Sequence, residues 1–122
     1  MKRLLLVLLP ILFIVGCSKP VDRTSLVEKD GVMYLPNSEK PYTGEVFINY
    51  SSGEKKYQGT YKDGKKDGVY TWYYKNGKKK QEKTWENGKK QGLYTEWYES
   101  GQKEKEVFIK DGEGEGIFTH WY

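Results

Sequence analysis

Few side chains in this sequence could do acid–base, nucleophilic or metal chemistry. The 122 residues include one histidine, His120, and one cysteine, Cys17, while carboxylates such as Asp63 and Asp111 sit in or beside turns. A catalytic site needs a base or nucleophile in a shielded pocket, and zinc or calcium needs several converging ligands. We therefore predict no enzyme activity, no metal site and no cofactor. His120 is expected to pack among aromatic side chains or to be exposed at a sheet edge.

The cysteine stands at the end of a segment that has the layout of an export signal. Lys2 and Arg3 precede an apolar run at residues 4–15, interrupted only by Pro10. This run has 12 residues, whereas a membrane-spanning helix needs roughly 20. A charged start followed by a short apolar core is typical of a signal peptide. The sequence predicts a signal peptide at residues 1–16, with cleavage between Gly16 and Cys17.

The tetrapeptide at the predicted cleavage site, Ile14-Val15-Gly16-Cys17, resembles the bacterial lipobox. The resemblance implies that Cys17 becomes the first residue of the mature chain and carries lipid, including acyl chains such as palmitate. Two or three acyl chains hold a protein stably on a membrane, whereas one chain does not. Ser18 is similar to the residues that permit sorting to an outer membrane. We therefore expect a bacterial lipoprotein, anchored by lipid in the cell envelope and in the outer membrane if the host has one.

Composition limits what the mature chain could bind. The formal net charge is +4, and +2 remains without Lys2 and Arg3 of the expected signal peptide. Lysines are interleaved with acidic residues and form no one-sided basic stripe, so we predict no nucleic-acid partner. Residues 17–30 are polar and aperiodic, and are expected to be the lipidated N-terminus and a flexible tether reaching on the order of 40 Å. Residues 31–122 are predicted to form one folded domain.

From residue 44 onward the sequence repeats every 24 residues, and each repeat divides into two halves of about 12. Every half contains a Ser-Gly, Asn-Gly or Asp-Gly pair, and these pairs favour type I′ hairpin turns because both central residues need positive φ. The period is marked by Gly44, Gly68, Gly92 and Gly116, and again by Tyr50, Tyr74, Tyr98 and Tyr122.

The segments between these turns are rich in aromatic and β-branched residues, which indicates strands of about seven residues. We expect an all-β fold, an elongated single-layer antiparallel meander of β-hairpins. Counting across the turns places Trp72 opposite Gln81, so that one face collects apolar residues from every strand and the opposite face is wetter. The expected strands cover residues 44–50, 56–62, 68–74, 80–86, 92–98, 104–110 and 116–122, and residues 32–35 are a candidate further strand.

The order of glycine, aromatic strand, turn, lysines, second strand and second turn across residues 44–122 resembles the bacterial variant of the MORN repeat. Residues 30–44, with Tyr34 and Tyr42, are similar to the segment that often precedes such arrays. The resemblance implies a twisted sheet of stacked hairpins, stabilised mainly by contacts between neighbouring repeats. Many bacterial chains with this repeat are catalogued as antitoxin-like, which implies an immunity role as one possible function.

Two features could bind a partner. Aromatic residues exceed what one side of a thin sheet can bury, and such faces suit proteins, peptides or glycans, although cross-strand pairs could equally use them for stability. The last strand forms an edge with Ile117 and Phe118 that could pair with a strand of a partner or of a second copy. The possible binding face consists of Tyr70, Trp72, Tyr74, Trp85, Tyr94 and Tyr98 on one face and Tyr73, Trp97 and Trp121 on the other.

Together these features predict a membrane-anchored, non-catalytic module for protein binding or scaffolding. A toxin-neutralising protein is the main alternative, and glycan or peptidoglycan binding through the aromatic face is a further one. An outer-membrane barrel is disfavoured, because spanning strands need about 9 to 11 residues and an apolar outer face.

Overall fold

The computed structural model describes residues 19–111 and 113–120, with the backbone alone for residues 113–119. The expected signal peptide, Gly16, Cys17 and Trp121 lie outside the described residues. The strands are β1 Val21–Asp22, β2 Val27–Lys29, β3 Val32–Tyr34, β4 Gly44–Asn49, β5 Lys55–Lys62, β6 Lys65–Lys66, β7 Gly68–Tyr73, β8 Lys79–Glu86, β9 Lys89–Lys90, β10 Gly92–Trp97, β11 Lys103–Lys110 and β12 Glu113–His120, with a 3-10 turn at Arg23–Ser25.

Most of the described strands belong to one long sheet. Its order is β1-β4-β5-β7-β8-β10-β11-β12, with β6 and β9 as short extensions beside β5 and β8. From β4 to β12 the neighbouring strands pair antiparallel, and Trp72 lies opposite Gln81 as the sequence predicts. The predicted all-β meander of repeated hairpins is confirmed. The candidate strand at residues 32–35 exists as β3, but it pairs with β2 in a separate sheet.

Two of the predicted type I′ turns are correct, and a third, Asp111-Gly112, has positive φ at Asp111 while Gly112 lies outside the described residues. Asp63-Gly64 and Asn87-Gly88 have positive φ at both residues, as a type I′ turn requires. Beyond each of these turns, an irregularity shifts the pairing of the two strands by two residues. Beside the Asp63-Gly64 turn Tyr61 faces Lys66, whereas farther from the turn Tyr57 faces Trp72. A shift of two leaves every side chain on its predicted face.

The other turns are of a different kind, so the prediction of type I′ is wrong there. In each three-residue loop the glycine alone has positive φ: Gly53, Gly77 and Gly101. The amide of Gly77 donates to the carbonyl of Tyr74 at 3.0 Å, and the amide of Tyr74 donates to the carbonyl of Lys78 at 2.8 Å. This pattern fits a type I turn followed by a left-handed glycine, which puts a bulge in the adjoining strand.

Residues 21–30, which the sequence assigns to a flexible tether, form ordered elements in the structure. Strand β1 pairs parallel with β4, so that Val21 faces Val46. The side chain of Leu26 is buried, and the amide of Met33 donates to the carbonyl of Gly64 at 2.9 Å. Apolar burial of Leu26 and Met33 offsets the entropy of ordering this segment, which its polar composition alone does not suggest.

The core lies under this N-terminal segment, on one face of the first half of the sheet. We call this side the core face, and the side that carries Thr71 and Thr95 the outer face. Leu26, Met33 and Tyr42 cover the sheet residues, and Val21, Ile48, Trp72 and Trp85 pack around the margin. The sheet residues of the core are Val46, Tyr57, Tyr61 and Tyr70.

Candidate binding surfaces

The predicted aromatic binding face does not form one accessible surface. Tyr70, at its centre, is 1% exposed and its hydroxyl donates to the carbonyl of Thr60 at 2.5 Å. Its ring contacts Tyr57, Tyr61 and Trp85 at centroid distances of 5.5, 6.1 and 6.4 Å. Burial raises the pKa of the Tyr57 and Tyr70 hydroxyls well above the ordinary range, so both stay protonated. Tyr70 therefore stabilises the fold and is closed to a ligand.

Trp72 and Trp85 mark the margin of this core. The Trp72 ring packs on Tyr57 at 4.6 Å, and both tryptophans remain partly exposed. The ammonium groups of Lys66 and Lys90 lie 4.5 and 6.0 Å from the centre of the Trp85 ring. The Trp85 ring thus carries two neighbouring positive charges and lies at the edge of the region that the N-terminal segment covers.

A groove opens beside Trp85, between the N-terminal segment and the two type I′ turns. Its volume is about 450 Å³. Met33 and Glu28 stand on the side of the N-terminal segment. We call it the basic groove because its lining includes Arg23, Lys65, Lys66 and Lys89 around Trp85. The sequence gives no signal for this site, because its residues come from segments separated by more than 60 positions.

Further along the core face, Tyr94 occupies a polar setting. Its hydroxyl donates to the Glu96 carboxylate, and the Gln81 amide donates to the Tyr94 hydroxyl at 2.7 Å. Lys83 and Lys105 lie 5.7 and 5.9 Å from the centre of its ring. Burial and the adjoining Glu96 raise the pKa of Tyr94 above its ordinary range. Tyr94 remains partly exposed, so this part of the predicted face is accessible.

Tyr74 links one repeat to the next. Its hydroxyl donates to the carbonyl of Trp97 at 2.6 Å, and Tyr50 donates in the same way to the carbonyl of Tyr73 at 2.6 Å. Both bonds span 23 positions in the sequence. Tyr98 follows the same 24-residue spacing and is partly exposed. The hydroxyls of Tyr50 and Tyr74 thus join adjacent repeats at this position of the period.

The outer face is less uniformly wet than the sequence predicts. Thr71 and Thr95 are each 4% exposed, because the longer side chains of Glu82 and Glu106 lie over them. Tyr73 accepts a hydrogen bond from the Gln58 amide at 2.8 Å, and Lys79 lies 5.7 Å from the centre of the Trp97 ring. An exposed apolar row follows the same register: Val69, Leu93 and Phe108, each about half exposed. The sequence assigns Phe108 to this face but does not single out Val69 and Leu93.

The last strand of the sheet differs from the first. Strand β12 has eight residues, and among the described residues it pairs with β11 alone. At the opposite end, β1 covers two residues in the middle of β4, Val46 and Phe47. The outward backbone groups of an edge strand are free to pair with another strand.

The candidate metal ligands of the sequence do not come together in the part of the chain that the structure describes. No group of three His, Cys, Asp or Glu side chains there could hold a metal ion. His120 is exposed in β12. Within the same residues, no helix has the length and apolar character that crossing a membrane requires.

Comparison with known proteins agrees with the repeat architecture. Searches of curated proteins and of solved structures find no match to the chain. The family model described as the MORN repeat variant matches three times, at residues 42–63, 66–87 and 90–111. The matches begin 24 residues apart and together cover more than half of the chain. The chain belongs to the MORN repeat variant family.

Proposed function

We propose that this protein is a lipid-anchored, non-catalytic module that binds a protein partner by pairing a strand with the edge of β12. MORN repeats are generally non-catalytic modules that bind membranes or proteins. The observation that carries the proposal is the contrast between the two ends of the sheet. Strand β4 is covered by β1 at two of its six residues, whereas β12 has a neighbour on one side only among the described residues.

The geometry of β12 suits strand addition. In the register with β11, Val107 faces Phe118, Glu106 faces Thr119 and Lys105 faces His120. Side chains alternate between faces along a strand, and the backbone groups alternate between the two edges. A partner strand would gain hydrogen bonds along the outer edge and specificity from alternate side chains.

In this proposal the lipid anchor is attached to Cys17. The first described residue, Lys19, lies two positions beyond Cys17, and β1 begins at Val21. At roughly 3.3 Å per residue, lipid on Cys17 would hold β1 within about 15 Å of the membrane surface. The expected reach of 40 Å is therefore too long, because residues 21–30 are part of the fold. We propose a position close to the membrane in a bacterial cell envelope.

Proline substitutions in β12 test the edge. In an antiparallel pair, neighbouring residues direct their amides to opposite sides, so one of Phe118 and Thr119 points its amide toward β11 and the other away. Of Phe118→Pro and Thr119→Pro, one should lower the melting temperature and the other should leave it nearly unchanged. The variant that keeps its fold should lose its partner in crosslinking from native envelopes, or lose self-association in light scattering.

Phe118→Ala and Thr119→Ala are the matched controls, because they remove the side chains and keep the amides. Full partner capture by the folded proline variant would contradict edge pairing. A captured partner that is toxic when expressed without this chain would identify the immunity alternative.

The substitution Cys17→Ala tests the anchor separately. It should release the protein from membranes or leave an uncut precursor, as seen by fractionation and intact-mass measurement. Unchanged membrane attachment and mature size would contradict the lipoprotein assignment.

A further inference from the structure

The basic groove concentrates positive charge away from the β12 edge. Arg23, Lys65, Lys66 and Lys89 line it. Lys83 and Lys90 lie close enough to Lys66 to act on its charge. Glu28 is the carboxylate in the lining, and the nearby Asp67 carboxylate accepts a hydrogen bond from the backbone N–H of Asn87 at 3.2 Å. The cations of the groove outnumber its carboxylates.

Neutral groups hold two of these cations, Lys66 and Arg23, in place. Lys66 lies 4.5 Å from the centre of the Trp85 ring and 5.5 Å from that of Tyr70, and Arg23 Nε donates to the Tyr61 hydroxyl at 3.2 Å. Ion pairs among the described residues join Lys79, Lys103 and Lys105 to glutamates, and none of these lysines lines the groove. Aromatic faces orient an ammonium group without neutralising it, so the charge remains available to an anion.

The cluster is also not a simple product of the repeat. Lys65 and Lys89 are 24 positions apart, but the next equivalent position is Glu113. Lys66 and Lys90 are followed in the same way by Gly114. A solvated rim repeated for solubility would keep lysine in all three turns. The basic residues converge instead on the two turns that border the N-terminal segment.

From the groove, its cations and their aromatic supports, we infer a binding site for a phosphate-bearing ligand group, centred on Lys66 and Trp85. A carboxylate would bring one negative charge. A phosphate monoester brings about two negative charges and three acceptor oxygens. The phosphate therefore matches the several cations that converge in the groove. Burial lowers the pKa of Lys66, and Arg23, Lys83 and Lys90 lower it further. A bound anion would relieve this repulsion.

Calorimetric titration of the full chain in detergent with inorganic pyrophosphate tests the site for soluble phosphates. Sedimentation with phosphatidylcholine vesicles containing phosphatidic acid tests it for lipid phosphates, with vesicles of pure phosphatidylcholine as the blank. Lys66→Gln should weaken whichever interaction occurs by about tenfold or more. Lys79→Gln removes the same charge from the outer face and should change affinity less than twofold.

Lys90→Gln provides a second groove variant, and melting curves would confirm that each variant is folded. Pyrophosphate binding that depends on Lys66 would identify a soluble ligand, and vesicle binding with the same dependence would identify a lipid headgroup. Absence of both interactions in the unaltered protein would overturn the inference. Equal losses for Lys66→Gln and Lys79→Gln would also overturn it, because they would show attraction to net charge alone.

Discussion

The second and third repeats place a tyrosine at the same position of the sheet and use it differently. Tyr70 is buried in the core, whereas Tyr94, 24 residues later, remains partly exposed among polar side chains. Gly59 lies beneath the Tyr70 ring, and the equivalent residue of the next repeat is Lys83, whose ammonium group lies 5.7 Å from the Tyr94 ring centre. One sequence pattern thus supports a closed core at one end and an open surface at the other.

The source of the difference lies outside the repeat. Leu26, Met33 and Tyr42 cover the first half of the core face. Beyond Trp85 the partner side chains on that face become polar, and lysine stems and hydrogen bonds replace apolar contacts. In repeat proteins, terminal units commonly carry such caps. The N-terminal segment is a cap, and it decides which aromatic residues are structural and which remain accessible.

Removing the two tyrosine rings should give the largest contrast. Tyr70→Ala should cost about 3–5 kcal/mol, because it leaves a cavity in the aromatic core. Tyr94→Ala should cost about 1 kcal/mol, because a partly exposed ring buries less apolar area. Urea denaturation of both variants measures the difference. Equal losses of unfolding free energy would remove the distinction between the two ends.

Gly59→Ala should show that the core is tightly packed. A Cβ atom at Gly59 would lie 2.3 Å from Cε2 of Tyr70, and the buried ring cannot move aside without repacking. Overpacking of this kind costs about 1–3 kcal/mol. Lys83→Ala creates the same residue at the equivalent position and should change stability by less than about 0.5 kcal/mol. A thermal melt in which Gly59→Ala matches the unaltered protein would contradict the packing argument.

Tyr74→Phe should weaken the connection between the second and third repeats. The substitution removes the hydrogen bond to the carbonyl of Trp97 and keeps the ring. We expect a loss of about 1 kcal/mol and faster amide exchange in β10 and β11. Tyr34→Phe serves as the control. The ring of Tyr34 contacts Lys29 through its face, and the substitution keeps that ring. Equal amide exchange in the two variants would show that the hydroxyl does not couple the repeats.

Substitution of Glu96 should have the smallest effect on stability, and the effect should depend on pH. Burial alone would raise the pKa of this carboxyl, but donors from Tyr94, Gln81 and Lys105 outweigh it and lower the pKa below the ordinary 4.5. A lowered pKa stabilises the fold above pH 4.5, and this contribution is lost as the pH falls through the folded-state value. Glu96→Gln should therefore flatten the acid side of the stability profile, and an unchanged profile would contradict this network.

Much of the sheet is predictable from the glycines. The 24-residue spacing predicts the seven main strands, most of them within one or two residues at either end, and the facing of Trp72 and Gln81 follows from counting across one turn. Strand alternation then assigns the faces correctly. These predictions succeed because they depend on local turn geometry and on a period of two along each strand.

The cap and the exact turns are not predictable in the same way. Asn76-Gly77 and Asn87-Gly88 contain the same dipeptide, yet positive φ occurs at Asn87 and not at Asn76. The length of the loop, two or three residues, decides whether the dipeptide forms a type I′ turn or a type I turn followed by a left-handed glycine. Leu26 lies in a polar, aperiodic segment and Met33 in the candidate strand at residues 32–35. Only their burial in one cluster with Tyr61 and Tyr70 reveals the cap. The basic groove depends on that cap and was hidden for the same reason.

Native-state hydrogen exchange of the full chain tests the contrast between the two ends most directly. The account predicts that amides of β5 and β7 open only with global unfolding and exchange most slowly. Amides of β11 and β12 should exchange roughly 30-fold faster or more, which corresponds to a difference of about 2 kcal/mol in opening free energy. Equal protection across the sheet, or slowest exchange in β11 and β12, would contradict a closed N-terminal core and an open C-terminal edge.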